Sequence, residues 1–267
     1  MRCAWLLPVL GLTLLLAGCS ELHQGVVRFD HLSDCPRDTP ATLTARAGEL
    51  DRLSPTHTLE CALAFLRDSN DARLQTSPLG SRLCLHLAER QLEPGKREQL
   101  AAEGVRFAET AIARGADGDG VVHYYLAANL GLAVRDHLSL AMESLPRLER
   151  EAARALDLTP DVDDGGPMRL LGMLYLKAPP WPSGIGDGDK AVGLLKRAVD
   201  AHPDHPLNHL FYAEALWEVD EENAMEQIRA SLATGMRLLR AGTWGYSRKP
   251  WEKEFADFRN ELDQSTS

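Results

Sequence analysis

Between His57 and the C-terminus, clusters of turn-forming residues cut the chain at short intervals. They read "SND", "EPG", "RGADGDG", "TPDVDDGG", "HPDHP" and "ATG". Between the cuts the apolar residues recur at helical spacing, which predicts helices over 57–68, 79–92, 95–114, 120–135, 138–157, 166–178, 188–202, 206–219, 221–234 and 250–262. No alternating strand pattern competes with them. Helices this short gain little stability alone and must bury their apolar faces against neighbours. The expected fold class is therefore all-α, built from helical hairpins.

The hairpins carry a repeat. In "GGPMRLLGMLYLKAP", Met168, Leu171, Gly172 and Tyr175 stand at positions 4, 7, 8 and 11 of a helix–turn–helix unit. Ala191, Leu195, Ala198 and Pro203 fit positions 20, 24, 27 and 32 once an insertion is removed. Small residues at 8, 20 and 27 let paired helices approach closely, and proline at 32 stops the second helix. A further unit starts at Pro206, with Tyr212, Ala213 and Leu216 in place and Ala224 and Ile228 shifted by one deletion. An expanded unit precedes these two, and a weaker one spans Ser81–Gly115. These are tetratricopeptide-repeat positions, and they predict a TPR-like right-handed solenoid over residues 56–262. Trp251, Phe255, Phe258 and Leu262, at 3–4 spacing, predict a C-terminal capping helix. The first helices of such units line a concave groove. Arg169, Met173, Glu214 and Trp217, at positions 5, 9, 9 and 12, face it by register. Tyr125 and Asn129 share one helix face by i, i+4 spacing. These six residues form the candidate ligand or partner groove.

The first residues are "MRCAWLLPVLGLTLLLAGCS": one arginine, an apolar run too short to span a bilayer, then Leu16-Ala17-Gly18-Cys19. That ending resembles a bacterial lipobox. It implies a signal peptide over 1–18, acylation of Cys19 and, with Ser20 following, a place on the periplasmic face of the outer membrane. Residues 19–55, mixed in Pro, Thr, Asp and Gly, are expected to form a lipid tether and irregular entry, and 263–267 a disordered tail. The net charge of −10 argues against a nucleic-acid partner. Outside the first residues, Cys35, Cys61 and Cys84 remain. Cys61 and Cys84 lie in successive helices on either side of a turn, so a Cys61–Cys84 disulfide is expected, with Cys35 as the rival partner of either.

Chemistry-bearing patterns are sparse. His202, His205 and His209 cluster around two prolines and read as a turn with exposed histidines rather than a metal site. The acidic turns fail the calcium-loop register and read as helix caps. Ser183 lies on no nucleophile elbow, and no phosphate loop ends in GK[ST]. No catalytic residue, metal or cofactor is nominated; the expectation is a non-enzyme. One segment resists the helical pattern: "LKAPPWPSGIGDGDKA". Its prolines forbid helix continuation, its glycines permit a reversal, and Trp181 and Ile185 offer apolar area expected to pin the loop to the stack. Trp181, Pro182, Ile185, Gly186 and Asp187 are its distinctive residues.

Taken with "YYLAANLGL" and "AVDAHPDHPLNHLFYAEAL", this inserted A-P-x-W-P-x-x-I/V-G-D loop resembles the TatT family of TRAP-transporter-associated tetratricopeptide lipoproteins. The resemblance covers about residues 80–235. It implies a periplasmic lipoprotein of stacked repeats that associates with a solute-binding receptor, forms trimers and holds small apolar organic acids. The expected function is thus a non-catalytic binding or adaptor component. The alternative is an envelope scaffold for peptidoglycan or outer-membrane assembly factors.

Overall fold

The computed structural model describes Leu22 and residues 25–265. The expected signal peptide, Cys19 and the last two residues lie outside these described residues. Eleven α-helices are described: α1 Pro40–Arg46, α2 Thr56–Asp68, α3 Ala72–Gln75, α4 Leu79–Glu89, α5 Pro94–Ala113, α6 Gly120–Val134, α7 Leu138–Leu158, α8 Gly166–Lys177, α9 Gly188–Ala201, α10 Pro206–Ala241 and α11 Arg248–Ser265. Among the described residues there is no strand, only an isolated bridge between Pro180 and Gly186. The all-α class stands.

From α4 to α10 each helix packs chiefly on its neighbours in sequence, and α4, α6, α8 and α10 also meet in succession along one face. Close approach depends on small residues, as the spacing predicts. A Cβ at Gly172 of α8 would come within 2.7 Å of Leu195 of α9. Ala191, Leu195 and Ala198 are all fully buried, and Ala213 is as well. A second close approach, at Gly104 of α5, admits the Asn129 side chain from α6.

The expectations for the last repeat helices, the entry segment and the disulfide need correction. The predicted helices 206–219 and 221–234 are one 36-residue helix, α10, which also runs through the "ATG" turn. No proline lies inside it after Pro206, so nothing removes an amide donor, and Gly235 is used for packing: a Cβ there would meet Phe255 at 2.7 Å. Helix α11 folds back on α10, where Phe255, Phe258 and Leu262 are buried with Ile228 and Leu232, as a capping helix should.

The entry segment is also more ordered than expected. Thr39 caps α1 by accepting from the Thr42 amide while Pro40 occupies the first turn, and Leu43 and Leu50 are buried. Thirdly, the disulfide joins Cys35 to Cys61, with Cα atoms 5.4 Å apart, rather than Cys61 to Cys84. Cys84 turns the other way, into the core with Leu59, Leu63 and Leu100, and is fully buried. Burial pushes its thiol well above the usual range.

The loop between α8 and α9 is held by its own backbone. Gly186 donates to Pro179 O at 2.8 Å and Asp187 to Tyr175 O at 2.9 Å; the Asp187 carboxylate then accepts from the Lys190 amide at 3.0 Å, capping α9. Gly186 is obligatory, because a Cβ would strike the Ala178 carbonyl. Ile185 packs against Leu171 and Tyr175 as expected. Trp181 does not pin the loop. It is 84 % exposed, held out by a chain segment already fixed through backbone bonds, and Pro182 beside it is exposed too.

The Cys35–Cys61 link closes a loop of 26 residues. Chain-entropy arithmetic for a loop of that length gives about 3–4 kcal/mol of stabilisation. Cys35→Ser should therefore lower the urea midpoint by that equivalent, and Cys84 should stay unreactive to iodoacetamide until the chain unfolds. Early alkylation of Cys84 in the intact protein would contradict its place in the core.

Candidate functional site

The face formed by α4, α6, α8 and α10 is not an open groove. The chain after α10 turns through Gly242–Ser247 and crosses it, and the strap Asp51–Ser54 meets it there. Gly245, in the left-handed region at φ 55°, lies against Arg52 O and Leu53, where a side chain would clash. Tyr246 donates to Glu89 and lies beneath the Arg90 guanidinium, 4.2 Å from ring centre. Arg90 in turn donates to Ser54 O at 3.0 Å. The segment before α2 and the segment after α10 are thereby clasped together over the concave face.

Beneath the clasp lies a cavity of about 470 Å³. Leu85, Leu132, Leu170, Met173, Leu207 and Phe211 supply apolar wall; Tyr124, Tyr125, His86, Arg52 and Arg169 supply polar groups. Its exposed lining residues, Glu89, Arg135 and Glu254, mark the mouth, at the C-terminal ends of α4 and α6.

One acidic residue organises the closed end. Asp163, at φ 52°, accepts from Arg52, from Arg169 Nη2 at 2.7 Å and from the Tyr124 hydroxyl at 2.7 Å. Arg169, buried, also donates to Asp164 O at 2.7 Å and to Asn208 at 2.9 Å, so its donors are largely spent on the fold. The predicted role of "TPDVDDGG" as a helix cap is corrected here: Gly165, not an aspartate, precedes α8, and Asp163 binds cations instead.

The histidine turn is not exposed either. His205 is 2 % exposed, flanked by Trp244 and Trp251 at 5.6 and 5.3 Å, with Nε2 accepting from Arg52 at 3.3 Å. Burial, then the charges of Arg169 and Arg52, depress its pKa far below the ordinary imidazole value, so it is neutral. His209 is buried and pairs with Pro203 O at 2.7 Å; His202 pairs with Asp161 at 3.0 Å. The three do not converge on one point. The only close His/Cys/Asp/Glu set among the described residues is Cys35, His57 and Cys61, already closed by the disulfide.

Of the six candidate groove residues, Tyr125, Arg169 and Met173 reach the cavity. Asn129 does not. It is fully buried against α4, donating to Ser81 O at 2.9 Å and Tyr125 O at 2.8 Å, and so locks two helices together. Tyr125 keeps its hydroxyl without a hydrogen-bond partner among the described residues, and burial raises its pKa far above the usual phenol range.

Glu214 and Trp217 line a separate cleft of about 240 Å³ with Lys177, Glu218, Glu254 and Asp257, between α10 and α11. The register argument placed them correctly on α10, but the unbroken α10 carries them past the cavity. Sequence reasoning missed Arg52, Asp163, Tyr246 and Trp251, which reach the site from segments outside the repeat register. No family model matches the chain, and no curated protein matches it.

Glu214 sits where desolvation, helped by Glu254 and Glu218, pushes its pKa up to about 7, against the opposing pull of Lys177. An acid whose folded pKa lies above its unfolded value costs stability once the unfolded chain ionises. Stability should fall as pH rises from about 4.5 to about 7, by up to about 3 kcal/mol from this group. Glu214→Gln should flatten that slope in urea melts across the same window. An unchanged slope would place Glu214 in a wetter setting than the cleft provides.

Proposed function

We propose that this chain is a non-catalytic, lipid-anchored binding protein of the tetratricopeptide type, which holds a small, mostly apolar solute in the central cavity. The observation that carries the reading is the clasped cavity: about 470 Å³ of volume beneath the segments before α2 and after α10. Cavities of that size bury drug-sized or smaller molecules, with a few polar groups fixing orientation. Here the apolar walls favour a hydrocarbon body. The Tyr125 hydroxyl, with Arg52 beyond it, provides the polar end for a carboxylate or similar head.

The likeness of the inserted loop to TatT lipoproteins supports a periplasmic setting and transfer to a solute-binding receptor of a TRAP-type transporter. Cys19 is then the lipidated residue and the outer membrane the anchor site. The scaffold alternative is less favoured, because a repeat scaffold needs its concave face free for a partner segment. In this chain that face is covered by residues 242–254 and the Asp51–Ser54 strap.

The test is calorimetry of the purified chain with hexanoate, octanoate and benzoate, and with hexanol as the uncharged counterpart. Micromolar to millimolar binding of a carboxylate is expected. Tyr125→Phe should weaken it about three- to tenfold, the effect of one hydrogen bond. Ala128→Trp, which fills the cavity from α6, should abolish it while the helical circular dichroism is retained. Binding unaffected by Ala128→Trp would move the ligand elsewhere, and no heat with any probe would remove the solute reading.

A further inference from the structure

The helix pairs place three turns on one edge of the stack: α4 to α5, α6 to α7 and α8 to α9. Cross-links between them show the common edge. Arg97 at the start of α5 pairs with Asp136, and Glu98 meets His137 at 3.0 Å, both in the α6–α7 turn. At the other side of that turn, Leu174 near the end of α8 packs in one cluster with Leu140 and Ala141 of α7. Each turn presents one large apolar side chain to solvent: Leu92 at 97 %, Leu138 at 80 % and Trp181 at 84 %. No other large hydrophobe among the described residues exceeds 52 %. The three most exposed apolar residues of the described chain therefore form one row.

The three lysines beside that row are paired. Lys96 meets Glu93 at 3.0 Å, Lys177 pairs with Glu218, and Lys190 meets Asp187 at 3.3 Å. On a chain of net charge −10, this edge is locally balanced. The chain also enters beside it. Leu22 packs against the cluster of Val105, Leu130, Val134 and Leu148, and Val134 ends α6 across the turn from Leu138, the first residue of α7. In the sequence Cys19 precedes Leu22 by only three residues, so an acyl anchor there would be tethered by a very short stretch of chain.

We propose that this edge is a membrane-docking surface: Leu92, Leu138 and Trp181 rest in the headgroup region of the bilayer that holds the N-terminal acyl chains. The proposal rests on Cys19 acylation, and it adds what acylation alone leaves open, the orientation of the domain. An acyl anchor supplies the residence, so three shallow side chains suffice to orient what is already there. Tryptophan is the residue best suited to this depth, with an apolar body and one N–H for the interface. Ion pairs on the rim keep the acidic surface from repelling anionic headgroups. The rigid inserted loop acquires a purpose here, since its backbone bonds hold Trp181 out against the cost of exposure in water.

The test uses the full-length acylated protein in vesicles of phosphatidylethanolamine and phosphatidylglycerol containing dibrominated phosphatidylcholine. Bromine quenches only tryptophans within the bilayer. Quenching is expected in the parent protein and should fall by more than half in Trp181→Phe, because Trp217, Trp244 and Trp251 are packed against the core formed by α10 and α11. Leu92→Gln/Leu138→Gln, two surface changes that leave the core untouched, should also reduce it. If the protein sediments with vesicles but Trp181 is not quenched, the docking edge is wrong while the anchor stands. If Cys19→Ser leaves vesicle binding unchanged, or the parent fails to bind at all, the anchor reading itself fails. Protection of Trp181 by a co-purifying protein instead of lipid would also overturn the proposal.

Discussion

The arrangement hinges on a single carboxylate. Asp163 holds Arg52 from the entry strap, Arg169 from α8 and the Tyr124 hydroxyl from α6 at the closed end of the cavity. Two cations against one acid would be costly to bury, but His205 stays neutral beside them, and carbonyls of Asp163 and Asp164 absorb further donors. The network does what apolar packing cannot: it fixes the angle between elements that belong to different helix pairs and to the chain's entry. Without it the strap has no reason to cross the concave face, and the clasp through Arg90 and Tyr246 has nothing to close onto.

This explains which parts of the molecule were legible in the sequence. From α4 to α9 the helices end within about three residues of the spacing-based limits, because turns rich in Gly, Pro and Asp stop them locally. Gly172, Ala191 and Ala198 were readable as contact points because small residues at helical spacing let α8 and α9 approach closely. Each failure came from a contact that no repeat encodes. Asn129 was assigned to the groove by face alone, yet Ser81 and the gap at Gly104 draw it into the core. The histidine turn looked solvent-exposed because Trp244 and Trp251, forty residues on, return to cover His205. Cys61 found Cys35 because the entry segment folds back along α2, an event visible only once Leu43 and Leu50 are seen buried.

The unbroken α10 has the widest consequence. In place of another turn on the docking edge, a single helix carries the chain past the stack and returns it through residues 242–247 to α11. That detour supplies the segment that roofs the cavity, and it displaces Glu214 and Trp217 into a cleft of their own. The unbroken helix thus leaves a partly covered cavity, shaped for a small molecule, where an open groove would suit a peptide.

The docking edge and the cavity then constrain each other. The mouth is marked by Glu89, Arg135 and Glu254, and Arg135 ends α6 just ahead of Leu138 in the exposed row. With that row in the headgroups, the mouth lies near the bilayer surface, while Asp163 and its network close the far end. An apolar solute leaving the membrane interface would meet Arg135 and Glu89 first and then the Leu132, Leu170 and Met173 walls, with a short path through bulk water. A polar solute gains nothing from that proximity. The same geometry that orients the domain therefore favours a ligand with more hydrocarbon than charge.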